Sequence, residues 1–243
     1  LTAINGAVFY DCTGLTNVVI PDTVTKIGQD AFADCSSLKS VIIPNLVTEI
    51  GAYAFSGCSG LTTMVIPNGV TEIGDGVFSW CKNLTNITVD DANTAYCSEN
   101  NILYTKDKKK VIAVAGALKG HIVLSDSVTE IGKNAFAGCT SLANITISDN
   151  ITVISESTFS GCTGLTSIII PESVTEINML VFDRCRKLKT VVIKSTVIKD
   201  IHKTAFKNVH ANIHFTVKTD AVKALLKKSP TIRDEQITVD VNL

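Results

Sequence analysis

Phenylalanine recurs at a fixed interval along this sequence, and that interval constrains the fold more than any other feature. The spacing is 23 residues within two series, with a last step of 24: Phe9, Phe32, Phe55, Phe78, then Phe136, Phe159, Phe182 and Phe206. A cysteine stands three residues after seven of these phenylalanines, and a leucine stands three residues after each of those cysteines. A fixed period of this length indicates a solenoid, in which each repeat buries its apolar face against its neighbours.

The first half of a repeat has the pattern of a short strand. Leu38, Val41 and Ile43 follow L-x-x-V-x-I, which sends alternate side chains inward. Pro44 ends this strand, because proline lacks the N–H that a continuing parallel ladder needs. Corresponding strands of successive coils are expected to pair in parallel at about 4.8 Å.

The second half predicts a shorter strand and a tight corner. Val47 and Ile50 keep the inward spacing, and Gly51 is expected to allow the positive φ of a tight bend. The following segment, from Ala54 to Cys58, suits one short helical turn that fills the space between the two strand layers. The whole repeat therefore predicts two strand layers connected by turns.

The consensus C-x-x-L-x-x-V-x-I-P-x-x-V-T-x-I-G-x-x-A-F resembles the BspA-like, or Treponema-type, leucine-rich repeat. The resemblance extends from Leu1 to about Phe206. It implies a right-handed leucine-rich-repeat solenoid of the α/β class, with about 23 residues per coil, short parallel β-strands and one-turn helices. Departures from the consensus include Ser125 at the proline position and Ser155 and Asn178 at the glycine position.

The breaks in the period predict the domain organisation. Residues 1–206 are expected to form the solenoid, with a β-hairpin insertion at about residues 90–120 whose strands are 102–104 and 111–114. Residues 207–243 are expected to form a C-terminal cap of strand, helix and strand, with Thr219 or Asp220 as the helix N-cap. "LTAINGAVF" aligns with the middle of a repeat, so further sequence is expected before Leu1.

Composition and charge argue against several classes of protein. The apolar share is 45%, enough for a core, and the formal net charge is −1 with Lys and Arg scattered. This balance predicts no nucleic-acid partner and no attraction to an anionic membrane surface. No apolar run approaches the roughly 20 residues of a membrane span, and no secretory signal is present in these residues.

The sequence contains no catalytic, cofactor or metal motif. The periodic cysteines predict a column of buried thiols that act as small hydrophobes, while Cys97 lies off the column and is expected to be the exposed thiol. His210 and His214 lie on a predicted strand, about 13 Å apart, too far to hold one metal ion. The recurring Glu49, Glu72, Glu130 and Glu176 are interpreted as a solvated stripe, and residues 90–93 as a polar loop in preference to a calcium site.

One row of side chains remains as a candidate ligand-binding strip. Each is the outward residue between the two inward residues of its strand, and all are β-branched: Val19, Ile42, Val65, Thr88, Val123, Thr146, Ile169 and Val192. Strand propensity alone explains such residues. An exposed, weakly charged and partly apolar strip is also typical of a protein-binding surface. Both interpretations stay open at this point.

The resemblance implies a non-catalytic interaction module of a secreted or surface-anchored bacterial protein. Its partner is expected to be an extracellular or host-surface protein, bound for adhesion through the strand face. Two alternatives remain: a carbohydrate-binding or spacer region appended to an enzyme outside this sequence, and a scaffold without a direct ligand.

Overall fold

The structure, a computed structural model, describes all 243 residues, and these form two compact units. Unit 1 contains Leu1–Leu118 and Gly132–Cys139, and unit 2 contains Lys119–Ile131 and Thr140–Leu243. In both units the chain winds in coils that carry two short strands each. We call the strand that follows the C-x-x-L corner the front strand, and the strand in the V-T-x-I segment the back strand.

Unit 1 contains the first strands of the chain. Their bounds are β1 (Ala3–Ile4), β2 (Asn17–Val18), β3 (Lys26–Ile27), β4 (Ser40–Val41), β5 (Glu49–Ile50), β6 (Thr63–Ile66), β7 (Glu72–Ile73), β8 (Asn86–Val89), β9 (Tyr96–Glu99), β10 (Ile102–Thr105) and β11 (Lys110–Val114). The back strands form one parallel sheet in the order β1-β3-β5-β7. Its register places Ile4, Ile27, Ile50 and Ile73 side by side, as a repeat with equivalent inward residues requires.

Unit 2 continues the same alternation of front and back strands. Their bounds are β12 (Gly120–Val123), β13 (Glu130–Ile131), β14 (Leu142–Thr146), β15 (Val153–Ile154), β16 (Ser167–Ile170), β17 (Glu176–Ile177), β18 (Thr190–Ile193), β19 (Asp200–Ile201), β20 (His214–Val217) and β21 (Ile237–Val239). The front strands pair in parallel as β12-β14 and β16-β18-β20-β21, and the back strands β15, β17 and β19 form a third sheet.

The only α-helix of the chain follows β20 in unit 2. Thr219 is the N-cap of helix α1 (Asp220–Leu226), and its side chain accepts a hydrogen bond from the Val222 N–H. A 3-10 helix (Asp234–Gln236) then leads into β21. The chain therefore has strand, helix and strand after residue 207, while the separate cap domain that begins there stays a prediction.

The insertion in unit 1 consists of three antiparallel strands. β10 pairs with β11 on one side and with β9 on the other. Asn93 joins this insertion to the coil before it. Its buried amide donates to the carbonyls of Pro67 and Val70 and accepts from the N–H groups of Ala95 and Tyr96.

The segments predicted as one-turn helices are chains of tight turns, and this detail of the prediction is wrong. Asp30 and Asp34 have φ values of +55° and +59°, which a right-handed helix excludes. The Phe32 N–H donates to Ala54 O of the next coil at 2.8 Å, while the Cys35 N–H bonds within its own turn. Alternate N–H groups therefore bond between coils, and an i to i−4 ladder cannot form.

Gly51 has a different role from the one that its position in the repeat predicts. Its φ does not lie in the left-handed region. A Cβ at this position would instead lie 2.5 Å from the backbone nitrogen of Gln29 in the preceding coil. Glycine is required here because two backbones approach closely.

The core of each unit is a stack of phenylalanine rings. In unit 1 the ring centroids of Phe9 and Phe32 are 5.1 Å apart, and those of Phe32 and Phe55 are 5.3 Å apart, with planes within 8° of parallel. In unit 2 the stack ends where Phe215 meets Phe206 edge-on, at 83°. These spacings lie in the range that aromatic pairs favour. Each coil therefore contributes one phenylalanine ring to the core.

Candidate interaction surface

The candidate strip in unit 1 consists of Val19, Ile42, Val65 and Thr88. All four side chains are exposed, and Val19 and Ile42 retain 91% and 82% of their accessible surface. β2 pairs with β4, and the register of β6 and β8 places Val65 beside Thr88. Val41 and Ile43, which flank Ile42 in the sequence, are buried, so the alternation predicted from the sequence is present.

The strip in unit 2 contains the other predicted residues and extends further than predicted. Val123 lies beside Thr146 in the pairing of β12 with β14. Ile169, half-buried Val192, Thr216 and Thr238 are in register across four strands. Thr216 and Thr238 were missed because their strands fall outside the regular period. The alternation of Ile213, Phe215 and Val217 is the signal that locates the first of them.

Polar residues border the strip of unit 1 on both sides. On one side, two and three positions before the outward residue of each strand, are hydroxyl and amide side chains and one lysine: Thr16, Asn17, Lys39, Ser40, Thr62, Thr63, Thr85 and Asn86. On the other side are exposed Asp22, Asn45, Asn68 and Asp91. The strip therefore has an apolar centre and a hydrogen-bonding rim, which is the arrangement of many protein-binding patches.

Two shallow depressions open on the front strands. One, of about 390 Å³, lies in unit 1 and is lined by Val19, Ile42 and Asp22 among others. The other, of about 240 Å³, lies in unit 2 and is lined by Thr146, Ile169, Asp149 and Lys194 among others. Each combines β-branched side chains with one carboxylate.

An ion pair lies beside the strip in unit 2. The Lys218 ammonium lies 2.7 Å from a carboxylate oxygen of Glu172. This hydrogen bond, together with the charge of Lys218, lowers the pKa of Glu172. Glu172 is exposed, so the pair orients the two side chains but contributes little to stability.

Six of the seven periodic cysteines are buried thiols, as predicted, and Cys12 is the exception. The Cys58 Sγ donates to Phe32 O at 3.0 Å, and Cys81 and Cys185 make the same contact with Phe55 O and Phe159 O. Burial raises the pKa of Cys58 to about 12 and that of Cys185 to about 12. All eight cysteines are present as thiols.

The prediction that Cys97 is the exposed thiol is wrong. Cys97 is half-buried, and its Sγ lies 3.4 Å from Thr105 O, because the pairing of β9 with β10 covers it. Cys12 is exposed instead.

One depression in unit 1 gathers unlike polar groups. It has a volume of about 310 Å³ and is lined by Asp90, Asp91, Cys97 and Lys106 among others. The Lys106 ammonium donates to Asn93 O at 2.7 Å, and Asp90 accepts from the Ala92 N–H. These polar groups stabilise the loop that leads into the insertion.

Two histidines contact a threonine of the neighbouring strand. His121 Nε2 lies 2.8 Å from Thr146 Oγ1, and His214 Nε2 lies 2.9 Å from Thr238 Oγ1. His210 accepts a hydrogen bond from the Asn212 N–H. No group of three or more His, Cys, Asp or Glu side chains is arranged to hold a metal ion. None of the helices has the length and apolar character that crossing a bilayer requires.

Comparison with known proteins places the chain among bacterial repeat proteins. The model of the BspA type leucine-rich repeat region matches in six copies, over residues 2–113 and 117–227. No curated protein sequence matches the chain.

Several solved structures have a similar fold. A leucine-rich repeat protein from Eubacterium ventriosum is 25% identical with a TM-score of 0.68, and the match covers 89% of this chain and 69% of that one. A leucine-rich cell surface protein from Faecalibacterium prausnitzii is 26% identical with a TM-score of 0.54, over 96% and 86% of the two chains. The pneumococcal vaccine antigen PcpA shares the fold at 16% identity, with a TM-score of 0.60 over 98% and 83%. The predicted leucine-rich-repeat solenoid is confirmed.

Proposed function

The chain belongs to the BspA type leucine-rich repeat family, and on that premise we propose that it is a non-catalytic adhesion module that binds an extracellular or host-surface protein through its strips. Repeat proteins of this family are typically protein-interaction modules, and the leucine-rich-repeat solenoid is generally not an enzyme fold. The proposal adds the surface, the kind of partner and the purpose of the contact.

The exposure of large β-branched side chains in register carries this proposal. Val19, Ile42, Val65, Val123 and Ile169 each expose more than half of their surface, although threonine satisfies the same strand geometry at Thr88 and Thr146. A solvated strand needs no valine or isoleucine on its outward side. Strand propensity accounts for the branching, but not for five large apolar side chains in rows.

The strips have few of the residues that dominate tight interfaces. They contain no tryptophan, tyrosine or arginine. Contact through them is expected to be the sum of many small apolar contacts and to depend on the length of strip covered. The absence of aromatic side chains also leaves the carbohydrate-binding alternative without support at this surface.

The proposed location is the bacterial surface or the extracellular space. The family match and the similarity to a cell surface protein from Faecalibacterium prausnitzii support it. A module that binds host or neighbouring-cell proteins needs such a location.

Charge substitution on the strips tests the proposal. Val65→Arg and Ile169→Arg are each expected to weaken binding to a panel of purified extracellular matrix proteins by about tenfold or more, because each places a charge in an apolar contact. Affinity is measured by surface plasmon resonance for every panel member that the parent protein binds.

Matched controls are available at exposed valines outside the strips. Val8→Arg in unit 1 and Val197→Arg in unit 2 start from residues that are both 53% exposed, so they add the same charge at similar exposure. Binding that survives both strip substitutions, or that falls equally in the controls, would exclude the strips as the binding surface. A parent that binds no member of the panel would contradict the proposed partner class.

A further inference from the structure

The charges of this chain are divided along the sequence, in contrast to the scattered arrangement inferred from its composition. Residues 184–243 carry 13 of the 22 Lys and Arg residues but only five of the 23 Asp and Glu residues. A net charge of −1 thus conceals an acidic first part and a strongly basic final part. Local charge, and not the total, decides which partners a surface attracts.

Ion pairs neutralise many of the basic residues near the C-terminus. Lys223 and Lys227 both contact Asp234, and Lys228 contacts Asp200 at 3.5 Å. Lys218 pairs with Glu172, as described above, and Arg233 lies 3.0 Å from Glu235. These pairs use three of the five acidic residues of residues 184–243.

Five other basic residues lie together at one C-x-x-L corner of unit 2. We call them the basic corner: Arg184, Arg186, Lys187, Lys189 and Lys207. All five are exposed. Four are within six residues of one coil, and the fifth lies in the next coil, where Lys207 O accepts a hydrogen bond from the Arg184 N–H at 3.1 Å.

Only one acidic side chain approaches this corner. Asp183 lies 3.5 Å from Arg184 Nε, and its side chain is only 13% exposed. Its other oxygen accepts a hydrogen bond from the amide of Asn208 at 2.8 Å. One buried carboxylate against five exposed cations leaves the basic corner with a net positive charge.

The fold itself does not require these charges. The coil beside it is joined by the bond from the Gly161 N–H to Asp183 O, and it has uncharged residues at the equivalent positions: Gly161, Thr163, Gly164 and Thr166. Those four residues form the same corner without a cation. Glycine and threonine are sufficient for the structure of this corner, so the fold does not need the basic side chains.

We propose that the basic corner is a binding site for a sulfated polysaccharide, separate from the protein-binding strips. Arginine guanidinium groups bind sulfate oxygens through paired hydrogen bonds, and the neighbouring lysines add charge along the path of a linear chain. The corner spans two coils, whose Phe182 and Phe206 rings are 5.0 Å apart, so it is narrow and suits a thin polymer.

Other polyanions fit the corner less well. Single-stranded nucleic acid is typically held by base stacking on exposed aromatic rings, but Phe182 and Phe206 are buried. An anionic membrane surface is typically bound together with exposed apolar side chains that enter the lipid, and residues 184–189 expose none. A sulfated chain needs neither.

Heparin serves as the probe, and affinity is measured at several salt concentrations. The triple variant Arg186→Thr/Lys187→Ser/Lys189→Thr takes residue types that other coils of this chain have at the same positions. Its affinity for heparin is expected to be lower by about tenfold or more. The magnitude of the slope of log affinity against log salt concentration should decrease by about one for each cation removed. Desulfated heparin should bind the parent protein weakly.

A matched control removes the same charge elsewhere. Lys119→Gln/Lys227→Gln/Lys228→Gln neutralises three exposed lysines outside the corner and should retain heparin binding. The single change Lys187→Glu provides a second corner variant if the triple variant loses its circular dichroism spectrum. Equal loss in control and corner variants, or heparin binding unchanged in both corner variants, would overturn the proposal.

Two further probes test the class of ligand. Parent protein that binds double-stranded DNA or phosphatidylserine vesicles as tightly as heparin would overturn the assignment to sulfated polysaccharides. The corner variants leave Val65 and Ile169 intact, and the strip variants leave the corner intact, so this proposal and the proposed adhesion function can fail independently.

Discussion

At the scale of the residue, the cysteines show how one side chain connects successive coils. Phe32 O accepts a hydrogen bond from the Cys35 N–H within its own coil and a second from the Cys58 Sγ of the next coil. A thiol suits this place because it is small and apolar enough for the core, yet it can donate to a buried carbonyl. The result is a column of weak hydrogen bonds along a stack of otherwise apolar side chains.

The buried thiols predict a loss of stability at alkaline pH. Burial raises the pKa of Cys58, Cys139 and Cys185 to about 12, so the folded protein keeps protons that the unfolded chain releases above about pH 9. The unfolded state then binds fewer protons, and the free energy of unfolding falls between about pH 9 and 12 by about 1.4 kcal/mol per pH unit for each thiol. Cys58→Ala should reduce this slope by about that amount in urea titrations at several pH values.

Val47→Ala is the matched control for that experiment. Val47 is fully buried in unit 1 and has no titratable group, so its truncation should lower stability by a similar amount at every pH. A pH slope that is the same in Cys58→Ala and in the parent protein would contradict the assignment of the slope to the thiols.

At the scale of the element, the tight turns are the least regular part of the coil and the most constrained. Tyr53 and Trp80 adopt φ values of +56° and +61°, although neither residue type favours the left-handed region. The hydrogen bonds between coils, such as that from the Tyr53 N–H to Asp75 O, hold this conformation. Stacking therefore determines the backbone of the turn, and local propensity has little influence.

Gly51→Ala tests the close approach of two coils at such a turn. The added Cβ would lie 2.5 Å from the backbone nitrogen of Gln29, and backbone atoms on both sides would have to shift. The expected loss is about 1 to 3 kcal/mol in the free energy of unfolding, measured by urea denaturation.

Gly14→Ala gives the comparison. A Cβ at Gly14 would meet no atom within 4 Å, so this change should leave stability within about 0.5 kcal/mol of the parent protein. Equal stability of the two variants would show that Gly51 is not required for packing.

At the scale of the whole molecule, stability is expected to depend on each coil's contacts with its neighbours. A repeat contacts only the coils beside it, so the cost of a substitution depends on how many neighbours its side chain has. Phe55 is stacked between Phe32 and Phe78, whereas Phe9 is stacked on Phe32 alone and is half-buried.

Two phenylalanine truncations measure this dependence. Phe55→Ala should cost about 3 to 5 kcal/mol, because it leaves a cavity inside the stack, and Phe9→Ala should cost less than half of that. Urea denaturation followed by far-ultraviolet circular dichroism measures both. Equal losses of stability in the two variants would indicate that the contribution of a ring does not depend on how many rings stack on it.

The repeat made most of the fold predictable, since a residue type that recurs every 23 positions must occupy equivalent places in a stack. The inward leucines, the outward Ile42 and the buried thiols follow from that period and from the alternation of a strand. The roles predicted for Gly51 and for the turn around Phe32 are wrong, because a glycine or a helix-compatible segment looks the same in sequence whether its constraint is local or comes from a neighbouring coil.

The sequence by itself determined the coil, its period and the residues that face outward from each strand, because these depend on spacing along one chain. Only the tertiary structure decided that Thr216 and Thr238 continue the strip, that Cys97 is covered while Cys12 is not, and that Arg184 lies beside Lys207. Each of these facts depends on which coil packs against which, and the contacts between coils join residues that are far apart along the chain.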